Sequence, residues 1–396
     1  MIRRLVLPLL LLVSAAVAAA PALRGEAQEI TAPPAVEEIP LGDQSVLQAT
    51  GWQQEVAADA NLVAVQWIGD PGAVFTIEVQ GDGGQWQPAE TIGVQDNGPD
   101  PGTPEGVAAA QQPTNTSEPL WTDDISAARV TLAEGSAQDV SLVAIDSPPV
   151  ADPRAGQPAQ ANALAGGLAA MGVTGIAVAF VSGRRRLLAL GVLVAIVAIA
   201  VAGCAPTKGA PVPGSIVSHA TWGGDLPWNT GGAECDDPAP RIHPGGIGFA
   251  VVHHTVNSNS YTPQQSWQII RGIWAHHANV NGWCDIGYNF LIDQYGTVFE
   301  GRWGGWDKAV VGAHAVGFNT GGVGIAFIGD HRTQPVSPAS RASLVNLIAW
   351  KFQIHTVDAS PWNSIIGHRD VNQTECPGNA AYSLLPGIRD EVRQRV

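Results

Sequence analysis

Apolar positions along this chain follow three different patterns. Between residues 46 and 148 they come in short runs: Leu62-Val63-Ala64-Val65-Gln66-Trp67, Val74-Phe75-Thr76-Ile77-Glu78-Val79 and Val140-Ser141-Leu142-Val143-Ala144-Ile145. Their β-branched content, partial alternation and Gly/Asp/Pro punctuation predict an all-β, sandwich-like domain. Residues 95–119 show no period and are expected to form a mobile loop. Residues 187–202 are almost continuously apolar, near the ~20 residues needed to span a bilayer. With the weaker apolar run 163–181 and Arg184-Arg185-Arg186 between them, they predict a transmembrane region at 163–203, a possible hairpin with its charges on the cytoplasmic side. From 216 to 396 the two periods mix. Strands are expected at 247–253, 286–292, 296–300, 321–328 and 364–367, and helices at 263–278, 338–356 and 380–393. Asp293-Gln294-Tyr295-Gly296 reads as a hairpin turn, and Ser337-Pro338 as a helix start with Ser at the N-cap. The expected fold class is a C-terminal α/β domain on a mixed central β-sheet flanked by helices, an all-β N-terminal domain, and a membrane segment between them.

The chain's start changes this picture. Arg3 and Arg4, the apolar run 5–17 and the small residues up to Ala22 describe a secretory signal peptide at 1–22. Linkers are expected at 149–162 and 205–215. Val201-Ala202-Gly203-Cys204 has the form of a lipidation signal, although its internal position argues against that use. The product is expected in the cell envelope, membrane-tethered or secreted. With 35 Asp and Glu against 20 Lys and Arg, the net charge of -15 excludes the cationic surface that nucleic acid requires.

Candidate chemistry lies in the last third. Val251-Val252-His253-His254-Thr255 ends an apolar strand on a histidine, and the turn-rich stretch 367–378 sets His368 and Cys376 eight residues apart. Two imidazoles and a thiolate make a three-ligand zinc set with the fourth tetrahedral position open, the pattern of a catalytic rather than a structural site. A hydrogen-bonded structural histidine is the alternative for each His taken singly. The chain has four cysteines. With Cys376 on metal and Cys204 at the membrane segment, Cys235 and Cys284 remain as the disulfide pair that export permits.

Five motifs occur in an order that resembles the zinc-dependent N-acetylmuramoyl-L-alanine amidases, a family that includes peptidoglycan recognition proteins and phage amidase-type lysozymes. They are residues 251–255, 282–290, Glu300-Gly301-Arg302, Gly312-Ala313-His314 and 368–376. The resemblance spans about 216–395, and the preceding β region is similar to the actinobacterial envelope type. It implies hydrolysis of the amide between N-acetylmuramic acid and the L-alanine of peptidoglycan stem peptides, in wall remodelling or lysis. It implies Zn2+ held by His253, His368 and Cys376, with Tyr288 assisting at the metal and Thr374 as a neutral hydrogen-bond donor to an oxyanion. His314, Arg302 and Trp306 are its substrate-binding candidates. For His314 a structural role, for Arg302 an ordinary ion pair, and for Trp306 a core anchor, remain alternatives. Peptidoglycan is the implied partner, alongside a membrane through 187–202. The competing function is a non-catalytic peptidoglycan-binding protein, against which Cys376 and Tyr288 both argue.

Overall fold

A computed structural model describes residues 32–150 and 216–396, apart from 43–45, 50, 82, 89, 227–234 and 236–239. The expected signal peptide, the 205–215 linker, nearly all of the 149–162 linker, the region 163–203 and Cys204 lie outside the described residues. The expected fold class needs a correction. Among the described residues no helix is long and apolar enough to cross a membrane, so the membrane segment of the expected fold class is not part of the described fold. The two longest helices, Gln265–Ala275 and Pro338–His355, bury their apolar residues in the core.

The N-terminal part is built from β1 (Ala35–Pro40), β2 (Leu47–Gln48), β3 (Gln53–Gly69), β4 (Val74–Gln80), β5 (Glu90–Ile92), the short helix α1 (Pro104–Ala109), β6 (Asn115–Thr116), β7 (Leu120–Glu134) and β8 (Ser136–Asp146). All strands join one antiparallel sheet ordered β1-β8-β3-β7-β4-β5, with β2 on β8 and β6 on β3. Val63, Val65, Trp67, Phe75, Ile77, Val130 and Leu142 bury one face solely among residues of this part, so the sheet curls over itself. The opposite face of β3 and its neighbours presents Leu62, Ala64, Trp121, Val143 and Ile145 to the C-terminal part. That two-sided burial explains the unbroken apolar run at Leu62–Val65, since a strand covered on both faces loses its alternation.

The C-terminal part contains β9 (Ile216–Val217), α2 (His219–Gly223), β10 (Phe249–His254), α3 (Gln265–Ala275), β11 (Phe290–Ile292), β12 (Val298–Glu300), β13 (Gly322–Phe327), α4 (Pro338–His355), β14 (Ile365–Gly367), α5 (Asn379–Tyr382) and α6 (Leu385–Arg393). Its sheet runs β14-β10-β13-β11-β12-β9 and is mixed: β11 and β12 form the antiparallel hairpin, and the other neighbours are parallel. The turn forms because Asp293 Oδ1 accepts from the amides of Tyr295 and Thr297. Ser337 caps α4 by accepting from Ser340 N. The helix expected over 380–393 is two helices, because Pro386 lacks an amide hydrogen and suits a first turn better than an interior. α3 stops at Ala275 and continues as one π-helical turn, His276–Val280. α4 and α6 cover one sheet face. α3 covers the other and packs Trp267, Ile270, Ile273 and Trp274 against the N-terminal sheet. A side chain at Gly272 would collide with Leu62, so glycine sets this close approach. Cys235 and Cys284 form the expected disulfide.

Candidate metal centre

Strand register brings the first two donors together. In the parallel pair β10/β14, Val252 is the partner of Gly367. The next residues, His253 and His368, therefore emerge side by side at the carboxyl ends of adjacent strands, their ring centroids 4.5 Å apart. This is where open α/β sheets place their sites. The loop after β14 folds back through Arg369 N donating to Cys376 O (2.9 Å), and brings the thiol with it. Donor atoms of His253, His368 and Cys376 all lie within 4.8 Å of one another, and all three residues are buried.

The donor set fits a metal ion. His253 Nδ1 is 3.7 Å from Cys376 Sγ, and its Nε2 is 3.1 Å from His314 Nδ1. His368 Nε2 is 3.0 Å from Asn372 Oδ1, a pure acceptor, so Nε2 carries the proton and Nδ1 the lone pair. That Nδ1 is buried without a hydrogen-bond partner. Burial, reinforced by His368 and His314, pushes the His253 pKa well below its usual value, and burial also lowers His368. Both imidazoles are therefore neutral, as ligands must be. Burial and the nearby Asp96 push the Cys376 thiol up. A thiolate there requires compensating positive charge, which a divalent cation would provide.

Tyr288 sits against this cluster, buried, with its ring 5.4 Å from that of His253. Its hydroxyl accepts from Asn97 Nδ2 at 2.9 Å. Burial, with Glu118, Cys376 and Asp96 nearby, raises the phenol's pKa, so the hydroxyl keeps its proton. Thr374 accepts from Cys376 N (2.9 Å) and lines, with Tyr288, Cys376, Asp96 and Glu118, a cavity of about 180 Å³. His314 belongs to the cluster as the partner of His253. Its ring lies on Gly324, where a Cβ would collide with it.

The other two substrate-binding candidates stand outside the three-donor cluster. Arg302 is buried, donates through Nε to Ile286 O (3.0 Å), and makes a two-pronged pair with Glu105 at 2.9 and 2.8 Å. Trp306 is 38% exposed, and its carbonyl accepts from Lys351 Nζ on α4. Sequence reasoning missed the contribution of the N-terminal part. Asp96 Oδ1 lies 3.5 Å from His368 Nδ1, and Asn97 bridges Tyr288 and Glu118. The stretch 95–119, expected to be a mobile loop, instead reaches the site through Asp96, Asn97 and Glu118. Nothing in that stretch announces the role, since Asp96-Asn97-Gly98-Pro99 reads as ordinary turn chemistry.

Comparison with known proteins bears on the family. The N-acetylmuramoyl-L-alanine amidase family (Amidase_2) matches residues 244–379. Peptidoglycan-recognition protein SC1a/b of Drosophila simulans is 33% identical over 172 residues, 43% of this chain and 84% of that protein. Peptidoglycan recognition protein 1 of Bos indicus is 35% identical over 175 residues, 43% of this chain and 83% of that protein. Among solved structures, Drosophila PGRP-LB aligns at 30% identity over 43% of this chain and 91% of its own, with a TM-score of 0.37. Identity at this level across four-fifths of a relative, together with the family match over residues 244–379, means that the chain belongs to the N-acetylmuramoyl-L-alanine amidase and peptidoglycan recognition protein family.

Proposed function

We propose that this protein is a zinc-dependent amidase of the cell envelope that cuts the bond between N-acetylmuramic acid and L-alanine of peptidoglycan stem peptides. The observation that carries the reading is the convergence of two neutral imidazoles and a buried thiol on one point, with His368 Nδ1 left without a hydrogen-bond partner. Zinc bound there would polarise the scissile carbonyl and lower the pKa of water to ~7.

The protein's own groups supply the rest. His314 and Asn372 accept from the Nε2 protons of His253 and His368, which fixes both rings with Nδ1 inward. Tyr288 keeps its hydroxyl proton at the edge of the cluster, where it donates to the developing oxyanion or relays a proton to the leaving nitrogen. Thr374 uses its oxygen to accept from Cys376 N, and its hydroxyl proton remains free to point into the cavity.

A second reading, recognition without cleavage, is favoured by the relatives, which are named as recognition proteins. Zinc content and release of intact stem peptides from purified wall, for the full chain and Cys376→Ala, separate the two. About one zinc per chain, with release abolished by the substitution, is the result expected of the amidase. Zinc without release in the wild type assigns the protein to recognition.

A further inference from the structure

One segment of the N-terminal part meets the candidate site at Asp96 and Asn97 and on either side grips neighbouring loops of the C-terminal part. Gln95 bridges His277 Nε2 (3.0 Å) and Asn281 Nδ2 (2.6 Å). Asp96 and Asn97 stand at the metal cluster and at Tyr288, and Gly98 O accepts from Asn319 Nδ2 (2.8 Å). The Asp100 carboxylate then collects five hydrogen bonds from one short loop. Gly317 N, Asn319 N and Asn319 Nδ2 donate to Oδ1, and Thr320 N and Thr320 Oγ1 to Oδ2. Glu105, in the first turn of α1, takes Arg302 with both oxygens and Cys284 N with one. The cavity left beside Cys376 is about 180 Å³, below the ~300–1,000 Å³ of sites that enclose a small ligand.

Two features make this more than interdomain packing. The donors around Asp100 and Glu105 are a cradle of backbone amides and a buried guanidinium, both suited to carboxylates of any origin. Asn319 also accepts from the amides of His314 and Ala315 through Oδ1, so the loop that grips Asp100 is the loop that positions His314. We propose that residues 95–106 are an internal competitor. They occupy the groove of the amidase site, and Asp100 and Glu105 fill two subsites that receive the carboxylates of an acidic peptide once the segment is displaced. This rests on the groove being the peptidoglycan site proposed above. The enzyme is latent as folded, and apparent affinity for substrate is the intrinsic affinity reduced by the fraction of open molecules.

The test uses the zinc-loaded full chain and the stem tripeptide L-alanyl-γ-D-glutamyl-L-lysine, a product that carries two carboxylates and cannot be cut again at the same bond. Calorimetry compares wild type with Asp100→Asn/Glu105→Gln, and hydrogen exchange follows residues 95–106 in the wild type as tripeptide is added. At least about tenfold tighter binding by the double variant, and faster exchange at 95–106 in the wild type on binding, are expected. Equal or weaker binding by the variant, binding that leaves this exchange unchanged, or no binding by either form overturns the proposal. Wall digestion reads the amidase claim separately. Tighter binding without release of stem peptides keeps the competitor and sinks the amidase, and release at equal rates with equal binding does the reverse.

Discussion

His253 Nε2 lies 3.1 Å from His314 Nδ1, and both rings are wholly buried. If His253 presents Nδ1 to a metal ion, its Nε2 carries the proton and His314 must accept it, which fixes the tautomer of both. His314→Ala should therefore weaken zinc binding about 10- to 100-fold, the usual effect of losing such a supporting partner. Competition with a chelator of known affinity reads this directly. An unchanged zinc affinity would show that His314 is only a packed core histidine.

Tyr288 separates catalysis from metal binding. Its hydroxyl accepts from Asn97 Nδ2, and Tyr288 is not one of the three donors of the cluster. Tyr288→Phe should keep one zinc per chain and lower kcat about 100-fold or more, the range for removing a positioned proton donor. Loss of zinc would assign the tyrosine a structural part; retained kcat would remove it from the chemistry.

Local pattern carried much of this site and none of its cover. His253 closes an apolar strand and His368 follows another, so two strand ends were legible, and Cys376 lies in the same loop as His368. Ser337-Pro338 announced α4, and Asp293-Gln294-Tyr295-Gly296 its hairpin, because caps and turns are short-range chemistry. The covering segment is different. Asp100 finds its donors 217 to 220 residues further along, and most are backbone amides, which leave no residue signature. Glu105 meets Arg302 across 197 residues. Arg302 was marked as a candidate for a substrate carboxylate, with an ordinary ion pair as the alternative, and the carboxylate it holds is the chain's own Glu105. The unbroken apolar run at Leu62–Val65 was visible, yet its cause, burial against α3, needed the second layer to be placed.

The Cys235–Cys284 bond closes a 49-residue separation and anchors the loop that leads into Asp285 and Tyr288. Cross-linking of that span restricts the unfolded chain, so removing it should cost about 2–5 kcal/mol. Thermal melts of wild type and of Cys235→Ser/Cys284→Ser would show a lower Tm for the variant. A coincident pair of melts would mean that packing of α3 and the N-terminal sheet holds this loop without the bond.

His276 makes stability depend on acid. It opens the π-helical turn after α3, is fully buried, and neither ring nitrogen has a hydrogen-bond partner. Burial lowers its pKa from 6.5 to about 3. Because the folded state resists protonation and the unfolded state does not, its stabilising contribution is complete above 6.5 and is lost as pH falls toward 3. At 1.36 kcal/mol per unit the loss amounts to at most about 5 kcal/mol. Asp293 acts with the opposite sign. Burial raises its pKa from 3.8 to about 6, so its share is present below 3.8 and lost as pH rises through 6. The two partly offset each other, so the wild-type curve alone does not isolate His276. The difference between wild type and His276→Leu does. Leucine removes two unpartnered nitrogens from the core, so the variant should be at least as stable at neutral pH. Its advantage should then widen steadily in denaturant titrations from pH 7 down to pH 4. Parallel curves would mean that His276 reaches water or a partner in solution and carries no acid sensitivity.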